Sequence, residues 1–289
     1  MTNEQLINQK KNYLCDKWQL SNLRPLLHDP VTNNYVVLVY SDKYKNDVVL
    51  KILLASTNEL EALKLFNGNG CVKLLEYDSV EKSFLLEYIK PGISLKSLFS
   101  INDEEAIEIT SNVIKKLHSR KLIYKAKDFR TVNQWLDLLK TFKSKKISEE
   151  HLKKAKELSE NLLELKQEQY LLHGDLHHEN ILKSNRDNIE EWVAIDPKGV
   201  IGPLEYEVGR FIMNPIPDLL LQNKAKSIIN NRIEKFCTIF GFDKQRLIDW
   251  LFVQSILSAC WCENDGSEEF FNYFVKLADL MKGEISKSN

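Results

Sequence analysis

The ten residues "HGDLHHENIL", 173–182, hold three of the chain's six histidines, two acids and an asparagine. Two chemistries can use such a set. His173, Asp175, His177 and His178 could begin a ligand cluster for a pair of metal ions, but such sites draw further His or carboxylate ligands from elsewhere in the chain. No histidine follows His178, and His28, His118 and His151 stand isolated in sequence. The second chemistry needs only Asp175 and Asn180, spaced D-x-x-x-x-N. In phosphoryl transfer an Asp accepts the proton of the attacking hydroxyl while an Asn five residues on holds Mg²⁺. The spacing puts both side chains on one loop facing one phosphate.

One Asn cannot neutralise a triphosphate, so a further carboxylate must share the metal. Asp196 is the candidate. "WVAIDP" is an apolar strand that ends in an acid and is stopped by a proline. "NILK" and "EEWVAI" flank the turn-rich "SNRDN" and read as a hairpin. Its open end would bring Asn180 and Asp196 together beside Asp175. A lysine must reach the other phosphates, and Lys51 is the one charge in "VVLKILL". A lysine in so apolar a run needs an anionic partner. Glu59 on the next helix is the first choice and Glu61 the second.

The elements that carry these residues fall into two groups. "NYVVLVY" and "DVVLKILL" are β-branched runs, "NELEALKLF" a short helix, and "CVKLLEYD" and "SFLLEYI" two more strands. With a strand after Trp18 they form a small antiparallel lobe that ends near Lys90-Pro91-Gly92. Beyond it, "DEEAIEITSNVIKKLHS", "TVNQWLDLLKTF" and "EEHLKKAKELSENLLEL" keep the helical period. The strand-like tract around residues 170–196 interrupts them, and helices return from Pro217. The fold class is α+β with two lobes, residues 1–90 for the nucleotide and 91–289 for catalysis and the acceptor.

A chain of 289 residues with 43% hydrophobic content builds a sizeable core. Its 40 basic and 41 acidic side chains nearly cancel, which gives no basic footprint for nucleic acid. No basic amphipathic stretch suggests a membrane surface, and "LIDWLFVQSILSACW" falls short of the ~20 residues of a span. The opening residues are polar and lack the apolar run of a secretory signal. Five scattered cysteines read as free thiols. A cytoplasmic location is expected, with a small-molecule partner; oligomeric state is left open.

Taken together, Lys51, Glu59, "FLLEYI", "HGDLHHEN" and "AIDP" occur in the order found in the aminoglycoside phosphotransferase and choline kinase group of protein-kinase-like folds. More narrowly, "LLHGDLHHENIL", "AIDPKGVIGPLEYEVGRFIMNP" and "ACWCENDG" resemble the aminoglycoside/hydroxyurea phosphotransferase family, which includes streptomycin kinases. The resemblance runs from Trp18 to Phe274 and implies ATP- and Mg²⁺-dependent phosphorylation of a small-molecule hydroxyl. By resemblance Asp175 is the catalytic base or hydroxyl-orienting acid, Asn180 and Asp196 bind Mg²⁺, and Lys51 contacts the nucleotide. Glu87, Tyr88 and Ile89 would meet the adenine through backbone groups. One departure stands out. The first glycine is Gly68, so the turn near "LLHDPVTNN" lacks a residue that lets backbone amides approach phosphate. Asn33 and Asn34 could form that turn, and a weakly active binding module is the rival reading.

Further residues carry competing interpretations. His173 is expected to brace its loop by hydrogen bonding. His177 and His178 either line the acceptor side or are solvated. Glu263 and Asp265, in "WCENDGSEE", could attract a cationic acceptor; Asp265 and Glu268 also fit a helix-start capping box. Glu207 and Arg210, three apart, read as a local ion pair. Trp135, Trp250, Phe252 and Trp261 recur at helical spacing and read as core.

Overall fold

The computed structural model describes residues 3–26, 34–54, 57–119, 128–164, 168–186 and 188–287. Helix α1 (Asn3–Trp18) leads into β1 (Leu20–Pro25), β2 (Asn34–Ser41), β3 (Asn46–Leu53), α2 (Glu59–Phe66), β4 (Leu74–Asp78) and β5 (Ser83–Glu87). The five strands form one antiparallel sheet in the order β1-β2-β3-β5-β4. Strand side chains alternate between faces, so β3 serves two cores. Val48, Leu50 and Ile52 pack with Leu14 of α1 on one face. Val49 and Leu53 turn with Lys51 toward α2 and the main core. The sequence reading anticipated the strands and α2; α1 it did not. Most of the glycine-free turn, including Asn33, lies outside the described residues.

The chain continues through β6 (Pro91–Ser94), α3 (Asp103–Leu117), β7 (Arg130–Thr131), α4 (Val132–Thr141), α5 (Glu149–Glu164) and β8 (Tyr170–Leu172). Then come β9 (Ile181–Arg186), β10 (Ile189–Ala194), β11 (Val200–Gly202), α6 (Leu204–Ile212), α7 (Asp218–Leu221), α8 (Ala225–Phe240), α9 (Lys244–Asp265) and α10 (Glu268–Met281). The Pro-Gly break at Lys90 opens β6, which joins the expected β9–β10 hairpin as a third strand. A second small sheet, β7-β11-β8, flanks the loop after β8.

Helix α9 is the axis of the helical body. Every residue from Leu247 to Cys260 is buried, and α4, α5, α6, α8 and α10 pack around it. Helix α6 comes close because Gly209 has no side chain: a Cβ there would sit 2.4 Å from Gln254 Nε2. Gln254 in turn donates to the Tyr206 carbonyl at 3.1 Å. Among the described residues no helix is long and apolar enough to cross a membrane.

Candidate active site

The loop after β8 is pinned from below. Glu207, fully buried on α6, accepts backbone N–H bonds from His173 (2.6 Å) and Gly174 (3.0 Å). Burial pushes its carboxyl up to about 7, with the two N–H donors opposing. Gly174 has φ +83°, and a Cβ would meet Val200 at 2.8 Å, so no larger residue fits this turn. His173 braces the loop as expected. Its Nε2 donates to the Ile195 carbonyl at 2.8 Å and its Nδ1 accepts from the Asp175 amide at 3.3 Å. Burial drives the imidazole down to about 4, which keeps it neutral and able to do both.

That loop presents Asp175. Arg210 Nε and a terminal guanidinium nitrogen both donate to Asp175 Oδ1, at 3.0 and 2.7 Å. The other oxygen, Oδ2, has Lys198 at 3.8 Å and His177 at 3.9 Å. Burial raises the carboxyl, but Arg210, His177 and Lys198 outweigh it and hold it well below the usual carboxylate range. Asp175 is therefore ionised, gripped on one oxygen and open on the other. The expected Glu207–Arg210 pair is not formed. Residues three apart on a helix lie about 60° apart around its axis, and these two reach different parts of one loop.

The hairpin brings the remaining groups to the same place. Ala194 pairs with Ile181, and the Ile195 amide donates to the Asn180 carbonyl at 2.9 Å. Asn180 and Asp196 thus stand side by side at its open end. Asn180 Nδ2 donates to the Asp175 carbonyl at 2.9 Å. Asp196 has φ +59°, a left-handed conformation that costs a non-glycine residue energy and is further disfavoured before proline. Strain of this kind concentrates at functional positions. The turn aims the Asp196 carboxylate back across the cleft, where Oδ1 meets Lys51 and Oδ2 meets Lys198 at 2.6 Å. Burial raises Asp196, yet Lys51 and Lys198 bring it below its ordinary value.

Lys51 is the buried lysine its sequence context demanded. It pairs with Glu59 at 2.7 Å and with Asp196. Burial favours its neutral form, the two carboxylates reverse that, and its pKa is raised. Burial likewise raises Glu59, against the pull of Lys51. Asp196 and Asn180 offer a carboxylate and an amide oxygen, the hard donors that suit Mg²⁺. Among the described residues no group of three His, Cys, Asp or Glu converges as a metal cluster would, and the two-metal reading loses its geometric basis.

Other candidates divide. His177 stays at the site, with Nδ1 on Glu179 at 2.9 Å and Nε2 near Asn180 Nδ2 at 3.1 Å. His178 does not: it is fully buried and stacks on Phe211 with ring centroids 4.1 Å apart, so it cannot line an acceptor surface. Glu87 spends its carboxylate on Arg186 and on the Lys73 amide. The Ile89 side chain is in the core, and Tyr88 is half-buried. Glu263 is bound to Ser144 and to the Lys145 amide. Asp265 ends α9, while Ser267 takes the N-cap position of α10, so Asp265 is not the cap the sequence suggested. Trp250 and Phe252 are core, as expected. Trp135 and Trp261 are only half-buried and pack edge-to-face at 5.7 Å. A Cβ on Gly174 would lie 3.3 Å from Trp135, which places this aromatic pair beside the loop that carries Asp175.

The fold has close counterparts among solved structures. A thermostable mutant of aminoglycoside phosphotransferase APH(4)-Ia, in ternary complex with AMP-PNP and hygromycin B, superposes with a TM-score of 0.68 at 11% identity, over 96% of this chain and 98% of that one. Sheet and helical body together define a kinase-like fold. The model of the aminoglycoside/hydroxyurea antibiotic resistance kinase family matches residues 31–266. The chain belongs to that family. It is similar to the streptomycin 3''-kinase of Klebsiella pneumoniae, with 28% identity over 75% of this chain and 79% of the relative. It is also similar to the hydroxyurea phosphotransferase of Kitasatospora aureofaciens, with 25% identity over 93% of this chain and 76% of the relative.

Proposed function

We propose that the protein transfers the γ-phosphoryl group of ATP to a hydroxyl of an aminoglycoside-like acceptor, in the manner of a streptomycin kinase. The observation that carries this reading is the placement of Asp175. Its carboxylate is ionised, held on one oxygen by Arg210 and open on the other, within reach of the same lysine that touches Asp196. Asp175 Oδ2 would orient the acceptor hydroxyl and take its proton as the new O–P bond forms. Lys51, fixed by Glu59, would hold the nucleotide phosphates, and backbone groups of 87–89 would meet the adenine. Asn180 and Asp196 would hold Mg²⁺, which when bound neutralises phosphate charge. In such reactions the protein contributes mainly positioning and charge stabilisation. Residues 1–90 would serve the nucleotide and 91–289 the acceptor, in a cytoplasmic enzyme.

The family covers both kinds of acceptor, so the preference for a streptomycin-type acceptor over hydroxyurea has to come from the site itself. The half-buried Trp135–Trp261 pair beside the catalytic loop adds support for an acceptor with rings or cationic groups. The test is ATP turnover with Mg²⁺ across streptomycin, other aminoglycosides, hydroxyurea and choline, beside Asp175→Asn. Streptomycin-dependent phosphorylation that falls about 10²- to 10⁴-fold in the variant, with ATP binding retained, is the expected result. ATP binding without turnover on any acceptor would favour the binding-module reading.

A further inference from the structure

Among the described residues three cations face the two site carboxylates, and they are not equivalent. Lys51 is 7% exposed and locked between Glu59 and Asp196. Arg210 is 19% exposed and committed to Asp175, with Ser258 Oγ at 3.4 Å. Lys198 is 40% exposed. It lies on the loop between β10 and β11, and its ammonium sits 2.6 Å from Asp196 Oδ2 and 3.8 Å from Asp175 Oδ2. Burial favours its neutral form, but the two carboxylates more than compensate and keep it charged.

We propose that Lys198 is a catalytic residue that rests on Asp196 in the free protein and moves to the γ-phosphoryl group when metal and nucleotide bind. This rests on the phosphotransfer reading. A cation held by Asp196 repels an ammonium 2.6 Å from the same carboxylate, so Lys198 must leave that oxygen. Asp175 Oδ1 is already filled by Arg210, and Oδ2 is the oxygen that meets the acceptor. The anion left within reach of the ammonium is the phosphoryl group in transit between Asp196 and Asp175. Of the three cations, Lys198 has the exposure and the flexible four-carbon stem to make that move. Charge that spreads over the phosphoryl oxygens in the transition state is stabilised by such a donor.

The proposal separates nucleotides that differ only in the γ-phosphate. Calorimetric titration with Mg²⁺ and either ADP or AMP-PNP is carried out on wild type, Lys198→Met and Lys198→Arg. In Lys198→Met the ADP affinity stays within about twofold while AMP-PNP weakens about 10-fold or more, the scale of a charge-assisted hydrogen bond. Lys198→Arg recovers most of the AMP-PNP preference, and its charge and length guard against a fold defect in the methionine variant. Equal losses for both nucleotides, or no loss for either, overturn the role of Lys198 and leave the phosphotransferase reading standing. Failure of wild type to bind either nucleotide overturns both.

Discussion

Replacing Arg210 by Met isolates the grip on Asp175. The guanidinium donates twice to one carboxylate oxygen, at 3.0 and 2.7 Å, with the two side chains only 19% and 17% exposed. Removing one partner of a buried ion pair costs about 3–5 kcal/mol. Lys198 and His177, both under 4 Å from Asp175 Oδ2, recover part of that, so a loss of about 2–3 kcal/mol is expected. In a chain of this size such a loss lowers Tm by roughly 4–10 °C. The freed carboxylate also loses its orientation, so kcat falls about 10- to 100-fold. Arg210 makes no contact with Lys51 or Glu59, and KM for ATP stays within about twofold. The pH dependence has a definite sign. Asp175 is depressed in the folded state, because its cationic neighbours outweigh its burial. Its contribution is complete above the unfolded carboxyl value of about 3.9 and is lost as pH falls below it. The Tm gap between wild type and variant is therefore level from neutral pH down to about 5 and narrows below about 4. Thermal melts across pH, with steady-state kinetics in both substrates, provide the readout. An equal fall in ATP affinity and kcat, or a gap that widens in acid, would refute this account of Arg210.

Glu59→Gln should raise KM for ATP about 10-fold, because Lys51 loses the charged partner that fixes it toward the phosphates; nucleotide titration that shows no change would remove Glu59 from the site. Glu207→Gln leaves one of two buried N–H groups facing an NH₂ and should cost about 1–3 kcal/mol in urea denaturation. The Glu207 carboxyl is raised to about 7, so its contribution is largest below the unfolded value of about 4.3 and declines as pH rises through 7. The glutamine variant loses this component, and its stability should fall less between pH 5 and pH 8 than that of wild type.

What the sequence could convey depended on whether a residue's partner lay in its own element. Lys51 announced itself because an apolar strand tolerates a lysine only beside an acid. Asn180 and Asp196 were legible because hairpin pairing is local and fixes its open end. Arg210 was not. Its spacing from Glu207 suits a helical ion pair, and only the packing of α6 under the loop after β8 sends the two side chains to separate groups. His178 was ambiguous because alternate residues of a tight loop face opposite ways, and the core claims this one. Helix α1 escaped notice because its apolar face is narrow: among its described residues Leu14 is buried in the cluster against the sheet, and Cys15 and Trp18 only partly cover it.

Arg186 has a mechanical consequence. From the end of β9 it reaches the carbonyls of Gly68 at 2.8 Å and Cys71 at 3.1 Å, together with both oxygens of Glu87. Backbone bonds between Val72 and Ala194, and between Ala194 and Gly70, run alongside. The hairpin that carries Asn180 and Asp196 is thereby riveted to the root of the first sheet. Any rocking of that sheet pivots here, so travel is least at Asp196 and grows with distance toward the β1–β2 edge. Order along the chain and division of motion need not coincide: the β9–β10 hairpin comes late in sequence but is anchored to the first sheet.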